Sequence, residues 1–207
     1  MKRSEIIQME NKDGIYYLSK NKFFHGLKRR QQRDELSKIQ AVMPLIRDDA
    51  DLILKLEPKE NSLHDGNGDL IGSNGSNERG YLLDEMIGRR DPLRGENLDN
   101  EFHLINGIWI MNYNFRNVNG AYQFEGKEIN PLLQDGYITL NDLDEDGLAK
   151  KVGSGLIYYI HPRNNCFVRL GSIPDRAFLS CGWYLDISDR GLPVRAKFLT
   201  LPEEMKK

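Results

Sequence analysis

Residues 178–205 read FLSCGWYLDISDRGLPVRAKFLTLPEEM. Leu179, Cys181, Trp183, Leu185 and Ile187 share one parity, and Ser180, Gly182, Tyr184 and Asp186 the other. That is the period-two pattern of a strand with one buried face. The alternation breaks over 188–193 and resumes with Val194, Ala196 and Phe198 on one face and Arg195 and Lys197 on the other. The expectation is a β-hairpin with a polar tip.

Upstream, Cys166, Val168 and Leu170 alternate with Phe167 and Arg169. LIYYI at 156–160 is nearly all apolar, as in a strand covered on both sides. Residues 137–140 suggest another short strand. Over 108–115, Trp109, Met111, Tyr113 and Phe115 lie opposite Asn112 and Asn114. Asn119-Gly120 is a hairpin turn signal because both residues tolerate positive φ, and Tyr122 and Phe124 continue on the return strand. Strands with turns between them predict a closed or sandwiched antiparallel sheet. One helix packs on it over about 139–153, with Leu140, Leu143, Leu148 and Val152 as its apolar side and Gly153 as its stop.

The first half reads differently. Residues 14–18 (GIYYL) form a candidate strand, and Leu36, Ile39, Val42 and Met43 predict a helix over 29–43 that ends at Pro44. ADLILKL at 50–56 is strand or helix continuation. Residues 61–80, rich in Gly and Asn, predict a mobile loop or an arm that orders on a partner. Residues 81–87 read as helical turns closed by Gly88, and 91–100 as a polar linker. The expected organisation is α+β: a mixed, partly extended region at 1–101 and a β-rich domain at 102–207.

Charge is segregated along the chain. Residues 1–47 carry a net +6, residues 48–101 a net −8, and residues 102–207 balance. Such segregation suits a subunit that packs against copies of itself or against charged neighbours. Lys28, Arg29, Arg30 and Arg33 oppose the dipole at the start of their helix, so an acidic partner would relieve them. No apolar run approaches the roughly 20 residues of a membrane span, and no signal peptide is evident, so a soluble product is expected. Cys166 and Cys181 read as reduced core thiols.

Two acid-rich runs have the donor atoms of a metal site but not its full spacing. Asp142, Asp144, Asp146 and Gly147 open like a calcium loop, yet Gly153 stands where a bidentate acid is needed. Asp65, Asn67 and Asp69 read as a flexible turn. His25, His64, His103 and His161 lack metal-ligand spacing, and Ser154 sits in an incomplete nucleophile pattern. No cofactor or metal is expected. The sharpest enzyme alternative is a metal-dependent nuclease using Asp51, Glu57 and Lys59. A nucleic-acid-binding module using the basic segment 20–38 is another.

Gly191, Leu192, Pro193, Val194, Arg195 and Ala196, followed by Phe198, Leu201 and Glu203, resemble the last hairpin of tail-tube-like proteins of contractile phage tails, especially baseplate proteins on which the tube begins. The resemblance covers about forty residues, from Cys166 on. It implies a non-enzymatic virion subunit, assembled in the host cytoplasm, whose strands join those of sister copies into a hexameric ring at the baseplate or tube end. The implied partners are other tail or baseplate proteins, with DNA passing through the lumen. Under it, Arg195 and Lys197 face the lumen or a neighbour, and Trp183, Arg190, Gly191 and Pro193 complete the interface set.

Overall fold

The computed structural model describes residues 1–57, 62–72, 77–88, 94–184, 192–202 and 205. An N-terminal hairpin comes first: β1 (Ile6–Asn11) and β2 (Gly14–Ser19), antiparallel, with Ile6 opposite Ser19 and Asn11 opposite Gly14. Helix α1 (Arg29–Lys38) and helix α2 (Ile46–Leu56) follow, then the two-residue β3 (His64–Asp65) and helix α3 (Glu78–Ile87). The remainder supplies β4 (Arg94–Ile105), β5 (Ile108–Val118), β6 (Ala121–Ile129), β7 (Gly136–Ile138), β8 (Ile157–Ile160), β9 (Cys166–Ile173), β10 (Arg176–Tyr184) and the two-residue β11 (Lys197–Phe198).

These strands form two sheets. The smaller runs β11-β2-β1-β3 and the larger β6-β5-β4-β9-β10-β8-β7. The α+β class is as expected, and neither sheet closes into a barrel. The larger sheet is mixed, because β8 and β10 run parallel.

Helix α2 is the layer between the sheets. It is buried around most of its circumference, and its Leu52, Ile53 and Leu56 share one apolar cluster with Ile7, Met9, Tyr16 and Leu18 of the hairpin and Leu98, Phe102, Val168 and Leu179 of the large sheet. The 50–56 run is therefore helical. The far side of the small sheet covers a second cluster, in which Ile6 meets Leu36, Met43, Val194 and Phe198.

Three sequence expectations are corrected here. The closing hairpin does not exist as a unit: β10 lies inside the large sheet between β9 and β8, whereas Val194 bridges Phe23 and β11 pairs with β2 in the small sheet. Alternation reports which face is buried, not which strand lies alongside. The helix expected over 139–153 is a short 3-10 turn, Leu140–Asp142, followed by a tight loop that returns Ala149 against Leu143. Gly147 holds φ +79° there, outside the helical region. Helix α1 stops at Lys38, five residues before Met43. Gln40 turns left-handed at φ 56°, its N–H donates to Ser37 O, and the N–H of Ala41 donates to Leu36 O. This is a Schellman ending, with Leu36 and Ala41 in one apolar cluster.

The stretch expected as a polar linker at 91–100 is strand from Arg94 on. Residues 94–105 are strand β4, paired to β9 on one side and β5 on the other, and residue 101 falls within it. Gly95 lies opposite Gly171, and a Cβ at Gly95 would stand 2.4 Å from Leu170 O, so the strands close here only because side chains are absent. Two turns need their residues for backbone reasons: Asn106-Gly107 and Asn119-Gly120 all have positive φ, which joins β4 to β5 and β5 to β6 by two-residue loops.

Candidate functional site

Strand β4 is a polar strand inside a protein, and most of its buried polar atoms are held by partners from other elements, the Glu96 Oε2 atom excepted. Glu96, Asn97, Asp99 and Asn100 are at most 1% exposed. A buried polar group without a partner costs about 1–3 kcal/mol, so these residues persist only because partners come to them. Arg33 of α1 donates from Nε to Asp99 Oδ1 at 2.9 Å and from Nη1 to Glu101 Oε1 at 2.8 Å, and Arg29 binds Glu101 as well. Asp99 Oδ2 also accepts the N–H of Phe115. Asn97 accepts from Arg169 Nε and donates to Gln32 Oε1 and Leu192 O. Asn100 Oδ1 accepts the N–H of Ile46 and so caps the start of α2.

The electrostatics follow from this geometry. Burial raises the Glu101 carboxyl, but Arg29 and Arg33 outweigh burial and leave it below the usual carboxylate range. For Asp99, burial wins over the same arginines and the carboxyl is raised. Burial, then repulsion from Arg33, lowers Arg29 to about 10. The opposite charges of segments 1–47 and 48–101 thus meet in part within the chain: Lys20 pairs with Glu78, Lys22 lies 3.9 Å from Glu96, and Arg29 and Arg33 take β4. For Arg29 and Arg33 of the basic helix, the expected acidic partner is a strand of the same chain.

The residues of the assembly motif fall into this interior. Arg195 is fully buried and donates from Nε to Glu96 Oε1 at 3.1 Å and from Nη1 to the carbonyl oxygens of Ser19 and Lys20. Lys197 holds both oxygens of Asp48, at 2.9 and 2.7 Å, and stands 4.8 Å from the ring centre of Tyr16. Pro193 O accepts the N–H of Asn97. Trp183 stacks under Arg169 at 4.3 Å. Arg195, with no exposed surface, therefore faces neither lumen nor neighbour, and Lys197, at the wall of a cleft, likewise neutralises a buried carboxylate of its own protomer. Arg190 and Gly191 lie outside the described residues.

Of the nuclease set, two residues lie among the described ones. Asp51 is held by Arg47 one helical turn away at 2.6 Å, Glu57 is the exposed C-cap residue of α2, and Lys59 lies outside the described residues. Among the described residues no group of three or more His, Cys, Asp or Glu could hold a metal ion. The two acid runs share one other purpose. Asp65 Oδ1 accepts the N–H groups of Asn67 and Asp69, and Asp144 Oδ1 those of Asp146 and Leu148; Gly68 and Gly147 have positive φ, and the flanks are bridged His64 to Leu70 and Leu143 to Ala149. Each is an aspartate-capped turn whose carboxylate is already occupied by backbone amides.

Two surface features remain. A cleft of about 1030 Å³ is lined by the β1–β2 turn, the first turns of α2, Tyr113 and Asn114 of β5, Glu125 of β6 and the Asp144 loop. Its charges are mixed and mostly paired, Lys12 with Glu145, Arg47 with Asp51 and Lys197 with Asp48. Beside it lies the outer edge of β6. Sequence reading identified β6 from Asn119-Gly120 but gave no reason to single it out, because only the sheet order shows it to be terminal.

No helix among the described residues is long and apolar enough to cross a membrane. No family model matches the chain, and no curated protein or solved structure shows significant similarity to it.

Proposed function

We propose that the chain is a structural subunit that assembles by adding a neighbour's strand to the large sheet. One observation carries this reading. Among the described residues the two sheets end in four edges: β3 and β11 are two residues long and β7 three, whereas β6 is nine residues long and pairs there with β5 alone. Proteins keep edge strands short, covered or bulged because an open row of N–H and C=O groups recruits another strand. Three edges are guarded by their shortness; β6 carries Glu125, Lys127 and Glu128 and lies against an irregularity in β5 between Tyr113 and Arg116, yet keeps nine residues of edge. Along β6, Phe124 is exposed, which suits a surface that becomes covered.

The tail or baseplate setting, with a ring of copies, is supported by the Gly191–Ala196 resemblance alone. The buried place of Arg195 gives that motif a role in holding the protomer together, so the contact between copies moves to β6. Sedimentation velocity over a concentration series tests the proposal. Self-association is expected, weakened by Glu128→Pro, because the two-residue Asn119-Gly120 loop makes Ala121 and every second residue after it bond to β5 and leaves the Glu128 N–H on the open edge. A chain that stays monomeric up to about millimolar concentration, where even weak contacts are populated, overturns it.

A further inference from the structure

Resting on that reading, we infer that the occupant of the β6 edge is the β6 strand of a second copy, antiparallel, with Gly126 on the two-fold axis. The alternatives narrow on geometric grounds. A nine-residue edge cannot be matched by β3, β7 or β11, which offer two or three residues each. The match in length is another β6, and two identical strands meeting on the same edge form an isologous pair. A continuous sheet places opposed residues on the same face, so opposed positions share parity and one residue of each strand must face its own copy across the axis.

The sequence of β6, AYQFEGKEI, then selects the register. An axis at Glu125 sets Glu125 against Glu125, and one at Lys127 sets Lys127 against Lys127; like charges directly opposite are unfavourable. An axis at Phe124 opposes the two Phe124 rings, but each ring already lies on Phe115 with centroids 5.1 Å apart, and the charges of Glu125 and Lys127 find no opposite partner. An axis at Gly126 opposes Glu125 to Lys127 twice, once on each side. At the axis itself there is no side chain, so the two backbones approach unhindered. Lys127 already binds Asp146 at 2.5 Å on the face that carries Glu125, so each cross-strand contact extends an existing ion pair. Because Glu125 also lines the cleft, the pair brings the two clefts to a common seam. Such a dimer is closed, and a ring would need a second contact elsewhere.

Charge reversal tests the register. Sedimentation equilibrium on the full chain should show wild type as a dimer, with Glu125→Lys and Lys127→Glu each weakening it by roughly tenfold or more, since two attractive pairs become repulsive. The double variant Glu125→Lys/Lys127→Glu should restore dimerisation. A mixture of the two single variants should give a one-to-one heterodimer, since every opposed pair is then complementary. Circular dichroism confirms that each variant is folded. Wild-type association that survives both single reversals overturns the register while leaving strand addition in place, and a monomeric wild type overturns both.

Discussion

Arg195→Met is the most searching test of the polar interior. Methionine keeps much of the apolar stem and removes the guanidinium. Glu96, itself without exposed surface, then loses its 3.1 Å partner, and Lys22 at 3.9 Å is left as the nearest cation. Breaking a buried pair by deleting one partner costs about 3–5 kcal/mol. The carbonyl oxygens of Ser19 and Lys20 lose donors as well, at about 1 kcal/mol each. The combined loss is about 5 kcal/mol, with residual pairing to Lys22 at the lower end. Total stability of a domain is roughly 5–15 kcal/mol, so the variant should be barely folded. In urea, where the slope is about 1–3 kcal/mol per molar, the midpoint should fall by about 2 M or more. The milder Arg195→Lys keeps the assay readable if methionine abolishes folding. Glu96→Leu combined with Arg195→Met should recover part of the loss, since the Glu96 charge is no longer left stranded, although Asp49 then loses the attraction of Arg195. Removing Glu96 also relieves Asp49, whose carboxyl Glu96 helps to raise. A loss under about 1 kcal/mol in the single variant, or a double variant costing the sum of the singles, would refute the claim that this pair ties the small sheet to β4.

Four further outcomes are expected. Burial first, then the charge of Glu96, raises the Asp49 carboxyl well above its ordinary 3.8, and neither of its oxygens has a hydrogen-bond partner. A raised folded pKa means that stability is intact below the ordinary value and erodes as pH climbs toward the raised one, so Asp49→Asn should gain more melting temperature at about pH 8 than at about pH 5. Asp144→Ala should cost about 1–2 kcal/mol in urea unfolding through two lost amide acceptors, and added calcium or chelator should leave the wild-type melting temperature unmoved. Gly155→Ala puts a Cβ 1.9 Å from Ile138 O and should cost more than about 2 kcal/mol by displacing β7, whereas Gly153→Ala, with nothing within 4 Å, should fall within about 0.5 kcal/mol. Cys166 and Cys181 are buried free thiols, both raised by burial, so native alkylation should be far slower than in urea.

Amino-acid order alone determined most of the local elements. Period-two alternation marked β5, β9 and β10, short apolar runs marked β2 and β8, and Asn119-Gly120 marked the β5–β6 turn, because a side chain's face and a positive φ are properties of neighbouring residues. The end of α1 and the loop after Leu140 escaped, since a left-handed Gln40 and an aspartate-capped turn compete with helix by margins too small to read from composition. Strand β4 was hidden for a stronger reason. Glu96, Asn97, Asp99, Asn100 and Glu101 read as solvated linker until Arg195, Arg169, Arg33 and Arg29, drawn from other parts of the chain, are known to meet them. The matching signal was present as the +6 and −8 segments, but charge balance does not say whether the partner is the same molecule or another. Which strand is left at a sheet's edge was likewise decided only in three dimensions, because strand order is set by long-range packing and not by the strand's own residues.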